Sequence, residues 1–533
     1  MDTLKKISLK DYDTVVATTQ IAINETMGVY LYNHLSDFAI YGIANDDGDV
    51  TELTNEPAKA NCYLKGTLAP EQDENGNYIN IVNLTTDKGN QNVGYNITMQ
   101  NGAFYFNAAG INDYHKRQDG KTPWIFKMFV KLSMQDVAKS NLPDNLKKQL
   151  ENVDENMFTI QQLYLDLNTA ALSSIDGAKF PGTVQTPAEQ LLKLYLIEQQ
   201  TTNNPLFGVS VKFKNINALP PTFAPTHIDF CVTPYLNAEG KATNPDLDTL
   251  NYLIMTGHRN APLNRPQSFA FNWVDDISIA GALAIRRDLY ADFIVDQLNP
   301  ILKNLCPIVS CKLGDELAIH LPTVSPGADQ KFNRISGEAF DKTTGKIATF
   351  SHESNDHDSR SQFFDNGTIY SFISYKMNCD IFLKDDNVTI MGSNVASCSI
   401  FTSNPGSHDH SNELNMEMPE TTFSWSANLQ LYMDAANNGQ LDYKMTSNFD
   451  SPPVKTDPLK VDELGRIKFY FDDMGNLRES TKTNIEETFK KIAGIKNANH
   501  FIFPGAKTFV FKNPQFSDSD DLVSNITYLD PNA

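Results

Sequence analysis

Apolar residues recur at three-to-four spacing in two long stretches of this chain and at strict two-residue spacing in much of the remainder. In the first stretch Tyr12, Val15/Val16, Ala22/Ile23, Met27, Tyr30/Leu31 and Leu35 share one face, which predicts a helix over Tyr12–Leu35 with Asp11 as its cap. At about 1.5 Å per residue such a helix spans roughly 36 Å. In the second, Leu289, Phe293/Ile294, Leu298, Ile301/Leu302 and Leu305 predict a helix over Asp288–Leu305. Pro300 predicts a kink there, with Asn299 capping a restarted last turn. A shorter helix is expected over Pro187–Gln200, where Thr186 caps, Pro187 takes the first position and Glu189 completes a capping box.

Between these helices the period is two. Every even position of Trp124–Leu132 (Trp124, Phe126, Met128, Val130, Leu132) is apolar, with Lys127 and Lys131 opposite, and Leu163, Leu165 and Leu167 repeat the alternation. Phe207, Val209, Val211 and Phe213 repeat the pattern, as do Trp425, Leu429, Leu431 and Met433. Such alternation belongs to antiparallel sheets with one buried face. Polar turns such as Asn45-Asp46-Asp47-Gly48 and Glu74-Asn75-Gly76-Asn77 separate the strands, and Asn437-Asn438-Gly439 is another. The expected class is α+β, an elongated molecule of strongly bent antiparallel sheets, each wrapped around a long amphipathic helix. The coarse repeat of helix followed by sheet suggests two domains, residues 1–280 and 281–533.

Composition narrows the function more than it names it. At 533 residues with 41% hydrophobic and 10% aromatic content, the chain can bury more than one core. A net charge of −21 spread along the sequence repels phosphate backbones and argues against nucleic acid. No run approaches the roughly 20 apolar residues of a membrane-spanning helix. The N-terminal residues lack an apolar signal core, so the expected location is cytoplasmic as synthesised, with release by a non-Sec route left open. Six cysteines are too few for a disulfide scaffold; Cys306 and Cys311 are close enough in sequence to bridge, with free, mostly buried thiols the favoured reading.

Motifs for nucleotide binding, metalloprotease chemistry and nucleophile elbows are absent from the sequence, so the chain reads as a non-enzyme with no cofactor and no metal. His408-Asp409-His410, with His352 and His357 in the same half, is the most metal-like cluster, but its flanks read as an exposed loop. Tyr114-His115-Lys116-Arg117 with Lys121 is the densest basic stretch, suited to an anionic lipid headgroup if it lies in a loop at a sheet edge. Asn387–His408 lacks Asp, Glu, Lys and Arg, and Gly392-Ser393-Asn394 is placed to be its turn. A neutral alternating hairpin of that kind is an ordinary piece of sheet or, alternatively, the membrane-inserting hairpin of a pore-forming toxin.

Two stretches carry a resemblance. Tyr12-Asp13-Thr14-Val15-Val16-Ala17, running into the first helical pattern, resembles the opening of accessory proteins from bacterial toxin gene clusters. These are the non-haemagglutinin accessory proteins of neurotoxin clusters, with a tubular lipid-binding, TULIP-like fold. Leu250-Asn251-Tyr252-Leu253-Ile254-Met255-Thr256, with Phe269-Ala270-Phe271-Asn272-Trp273-Val274 and Arg286-Arg287-Asp288-Leu289, is similar to a block of that broader group and its uncharacterised relatives. The resemblance implies a long helix cradled by a bent sheet with an apolar groove between them. It implies lipid or membrane-surface binding beside a toxin or other cluster-encoded proteins, with insecticidal activity in some members. On that reading Val16, Ile23, Met27, Leu31, Trp124 and Phe126 are the groove candidates, and Lys116, Arg117 and Lys121 the headgroup candidates.

Overall fold

The computed structural model describes residues 3–9, 11–34, 37–84, 92–142, 147, 156–202, 206–214, 223–263, 268–305, 331–363, 367–384, 387–403, 415–434, 440–450, 479–480, 482–488, 490 and 508–529. The chain forms two compact units. The first holds residues 1–286, 433–440 and 495–533, and the second holds 287–432 and 441–494. Against the expected division into consecutive halves, residues 495–533 return to the first unit, because their strands complete one of its sheets.

The first unit begins with β1 (Thr14–Thr19), α1 (Gln20–His34), β2 (Asp37–Ala44), β3 (Val50–Leu53) and β4 (Cys62–Leu68). The short strands β5 (Glu71–Gln72), β6 (Tyr78–Ile79) and β7 (Val82–Asn83) precede β8 (Asn92–Ala108), β9 (Ile111–Arg117), β10 (Trp124–Val137) and β11 (Phe158–Asp176). Then come α2 (Gly182–Thr202), β12 (Leu206–Phe213), β13 (Pro225–Thr233), β14 (Thr249–Thr256) and β15 (Gly281–Ile285). The second unit opens with α3 (Arg287–Leu305) and β16 (Asn333–Arg334). Its long strands are β17 (Lys346–Phe363), β18 (Gly367–Lys384), β19 (Asn387–Ser403), β20 (Asn415–Asp434) and β21 (Gln440–Asp450). Finally β22 (Thr508–Phe516) and β23 (Leu522–Leu529) rejoin the first unit.

The described strand pairings of the three large sheets are antiparallel. The six-stranded sheet of the first unit has the order β13-β14-β1-β15-β23-β22, so β1 lies between β14 and β15. Its nine-stranded companion follows β12-β11-β10-β8-β4-β2-β3, with β7 and β9 also pairing β8. The second unit is a meander, β16-β17-β18-β19-β20-β21. Lys5 Nζ donates to the Phe516 carbonyl at 2.9 Å and the Leu9 N–H to Asp521 Oδ2 at 3.1 Å, tying the early chain to the late strands of the same unit.

The predicted helix over Tyr12–Leu35 is divided. Its first part is β1, and only Gln20–His34 is helical. Thr14, Val15, Val16, Thr18 and Thr19 are β-branched and favour strand. Every position of β1 is buried, so the two-residue signature of a half-buried strand is lost and a helix-like spacing remains. The helix itself is not one-faced either. From Gln20 to Gly28 each side chain is buried except Glu25, which is intermediate. Its polar groups serve neighbours: Asn24 Oδ1 accepts the Val82 N–H and Gln20 Oε1 the Leu84 N–H, both at 2.7 Å.

Helix α2 starts earlier than expected, at Gly182, with Pro187 inside it. Val184, 1% exposed, draws an extra turn onto the core ahead of the anticipated cap. This helix packs on the nine-stranded sheet against β11, β3 and β2, whereas α1 meets the same sheet chiefly at β7. Leu191, Leu192 and Leu196 are buried there, and Phe38 meets Tyr195 ring edge to face at 4.8 Å.

The anticipated turn at Gly392-Ser393-Asn394 is also absent. β19 runs straight through it and pairs with β18 and β20 over its described length. Gly392 is needed for space, since a Cβ there would stand 2.0 Å from the indole of Trp425, its cross-strand partner. Asn437-Asn438-Gly439 and His408-Asp409-His410 lie outside the described residues, as do Cys306 and Cys311.

Candidate functional site

Helix α3 has the one-sided pattern that α1 lacks. Leu289, Phe293, Ile294, Leu298 and Leu302 are buried, whereas Asp292, Asp296 and Pro300 face solvent. Asp288 in the first turn complements the positive end of the helix dipole. The helix continues across Pro300, and Asn299 has a different task from the one expected: its Oδ1 accepts the Phe332 N–H at 3.0 Å. Phe332 in turn packs on Phe350 of β17, ring centroids 5.9 Å apart, which seats the helix on the inner face of the meander.

Both edges of that six-stranded sheet reach the same part of α3. At one edge Arg334 of β16 donates from Nε to Asp292 Oδ1 at 2.6 Å and from Nη2 to the Asp288 carbonyl at 3.2 Å. Its Nη1 also binds the Ile347 carbonyl at 2.6 Å. At the other edge the Tyr443 hydroxyl of β21 meets that of Tyr290 at 3.0 Å. Six flat strands would span roughly 24 Å, whereas a helix with side chains is about 10–12 Å thick. The sheet is therefore curled, a half-barrel whose two rims meet one helix turn. Burial, and secondarily the Tyr443 hydroxyl, hold the Tyr290 phenol well above its ordinary pKa, so it stays neutral.

The inner face of this half-barrel is apolar along β18 and β19, with Ile373, Met377, Ile381, Val388 and Ile390 all buried. Buried polar groups interrupt it, Ser371 in β18 and Asn394 in β19. Asn394, fully buried, donates from Nδ2 to the Tyr375 hydroxyl and accepts the Trp425 Nε1–H at 3.0 Å. Along β17 the same face changes character. Ala348 and Phe350 are buried, but His352, Ser354, Asp356 and Asp358 are only partly covered. The inner face thus passes from apolar positions on β18 and β19 to polar, partly accessible ones on β17. His352 and His357 lie on opposite faces of β17, so the strand does not bring these two imidazoles together.

The residues expected to line a groove are not gathered in one place. Val16 is in β1, Ile23 and Met27 in α1, and Trp124 and Phe126 in β10 of the nine-stranded sheet, all buried. Trp124 packs edge to face on Phe180, centroids 5.7 Å apart, and against Gly102. Leu31 is in α1, and its side chain lies outside the described residues.

The basic stretch is not a loop. Tyr114 to Arg117 belong to β9, so alternation sends Lys116 and Arg117 to opposite faces. Lys116 lies opposite buried Phe104, and Arg117 lies opposite Ala103. Arg117 instead shares its face with Lys65, which pairs with Ala103 from the other side. Lys65 Nζ sits 4.4 Å from the centroid of Tyr63, in a cross-strand row of Tyr41, Tyr63, Tyr105 and His115. Lys121 follows β9 in a turn where its own N–H and that of Thr122 hold the Asp119 carboxyl below its usual range.

The stretches that carried the family resemblance meet around Asp13. β1 pairs with β14 on one side and β15 on the other, and Asp13 has no exposed side-chain surface. Its carboxylate accepts the Thr256 N–H at 2.9 Å and Arg286 Nη2 at 2.9 Å, and pairs with Arg259 Nη1. Phe269, Phe271 and Trp273 form a ring cluster over the same sheet. These residues make framework: a buried charge held by two arginines locks three strands together, and losing a partner of such a charge is costly.

No protein-family model matches the chain, and no curated protein matches it. Among solved structures, the crystal structure of a lipopolysaccharide binding protein aligns with 97% of this chain and 99% of its own at 12% identity and a TM-score of 0.27. At that score the likeness carries no argument.

Proposed function

We propose that this protein is a non-enzymatic lipid-binding protein that takes an acyl chain into the trough between α3 and the curled sheet of the second unit. The observation that carries the reading is the contact of both sheet rims with one turn of α3, through Arg334 and Tyr443. That closure makes an apolar interior whose accessible margin, at His352, Ser354 and Asp356, is polar and suits a headgroup. The first unit, with α2 on its nine-stranded sheet, supplies a second helix-on-sheet body of the same general kind. In keeping with the family resemblance, the protein acts at membrane surfaces beside a toxin, with Arg117 and Lys65 facing anionic lipid. Burying apolar surface contributes about 25 cal/mol per Å², so an acyl chain needs few polar contacts to be retained.

Native mass spectrometry of the purified protein, followed by lipid extraction, tests the reading. Retained lipid that is lost from a Ser354→Trp variant, which obstructs the partly accessible margin and keeps the parent melting temperature, supports it. A lipid-free protein that takes up no fatty acid or phospholipid when offered them rules it out. Dye release from vesicles would instead favour the pore-forming alternative, although β19 is a fully paired central strand rather than a detachable hairpin.

A further inference from the structure

The outer face of the same six-stranded sheet carries a cleft of about 460 Å³ that the lipid reading does not use. Three cross-strand rows build it. Asn378, Ser393 and Ser424 form one row, and Asp380, Met391 and Ser426 the next. Phe382 begins the third, and Asn448 of β21 closes the far side. Ser393, Ser424 and Ser426 are short and leave a depression beside the taller Met391. Met391 is 52% exposed, an unusual cost for an apolar side chain in mid-sheet.

We propose that this cleft binds a neutral sugar of a glycan. Amide and hydroxyl side chains each donate and accept hydrogen bonds, the combination that sugar hydroxyls require. The thioether of Met391 and the ring of Phe382 match the C–H faces of a pyranose. Charge excludes the obvious rivals. The one carboxylate on the cleft, Asp380, is paired with Lys346 at 2.7 Å, so the site offers no net attraction to a phosphate or an anionic lipid. A docking peptide strand would need open backbone groups, but β18, β19 and β20 are paired on both sides. The charge-free run beginning at Asn387 thereby gains a reason: its outer positions floor an uncharged binding surface in a protein of net charge −21.

The cleft opens on the face opposite the trough, with Cys379, Gly392 and Trp425 also in its lining, and this inference stands whether or not the trough holds lipid. The test is a glycan array carrying neutral and sialylated oligosaccharides, probed with the full-length protein and followed by saturation-transfer NMR on the best ligand. The expected result is binding to a set of neutral glycans. It should weaken at least tenfold in Ser424→Phe, which fills the cleft, and in Asn378→Ala, which removes a hydrogen-bonding amide. Both positions are exposed, and an unchanged circular dichroism spectrum and melting temperature would confirm that the fold survives. Failure of the wild-type protein to bind any glycan overturns the proposal. So does binding confined to sialylated glycans, or binding that both variants retain in full.

Discussion

Around residues 20–28 of α1 the protein closes on nearly every side, whereas α3 keeps one face in water and offers the other to a curled sheet. The first turns of α1 bury Ile21, Ile23 and Met27, but they also bury Gln20, Asn24 and Thr26. Gln20 and Asn24 accept hydrogen bonds from the backbone at Leu84 and Val82, and Thr26 donates to the Ala22 carbonyl, while Asn24 Nδ2 has no partner among the described residues. Helix α3 buries apolar residues on its inner face and leaves Asp292 and Asp296 outside. A helix committed on all sides is a strut. On the proposed reading, a helix with one face on an apolar, half-barrel sheet leaves a seam that a ligand can share.

The largest expected effect breaks the strut. Ile23→Asp or Met27→Asp places a carboxylate at a site 2% or 0% exposed, and should cost several kcal/mol and unfold the first unit. A parent-like melting temperature in both variants would show that α1 is not enclosed. Next comes Leu298→Ala in α3, expected to cost about 2–5 kcal/mol in urea denaturation because the surrounding sheet relaxes only partly around the cavity. A loss below about 1 kcal/mol would mean that the trough collapses readily onto the helix, against a preformed site.

The contrast explains what could be read from the sequence. The α3 pattern was legible because Leu289, Phe293, Leu298 and Leu302 have an exposed counterpart in Asp292 and Asp296. The alternation in β10 was legible for the same reason, with Trp124, Phe126 and Met128 inward and Lys127 and Lys131 outward. β1 was not, because burial of both faces erases the contrast from which a period is recognised. Lys116 and Arg117 were adjacent in sequence yet face opposite ways, while Arg117 shares a face with distant Lys65. Gly392 was read as a turn because sequence alone does not reveal the Trp425 indole across the strand. The cleft is similarly hidden, since β18, β19, β20 and β21 each contribute one or a few of its residues.

Smaller effects sharpen the comparison. Asn24→Ala leaves the buried Val82 N–H without its partner and should cost about 1–3 kcal/mol. Asp292→Ala removes an ion pair whose carboxylate is half exposed, and should cost no more than about 1 kcal/mol. Chemical denaturation of the two variants in parallel checks the ranking, and an inverted order would mean that the rim clasp at Arg334 matters more than the strut.

The most direct test of the trough uses the three tryptophans, Trp124, Trp273 and Trp425, of which only Trp425 lines the half-barrel. Brominated stearate quenches indole fluorescence at short range. The account predicts partial quenching of the wild-type protein by bound brominated stearate and loss of that quenching in Trp425→Phe, with stearate binding retained. Quenching that persists undiminished in Trp425→Phe would place the acyl chain elsewhere and contradict the account.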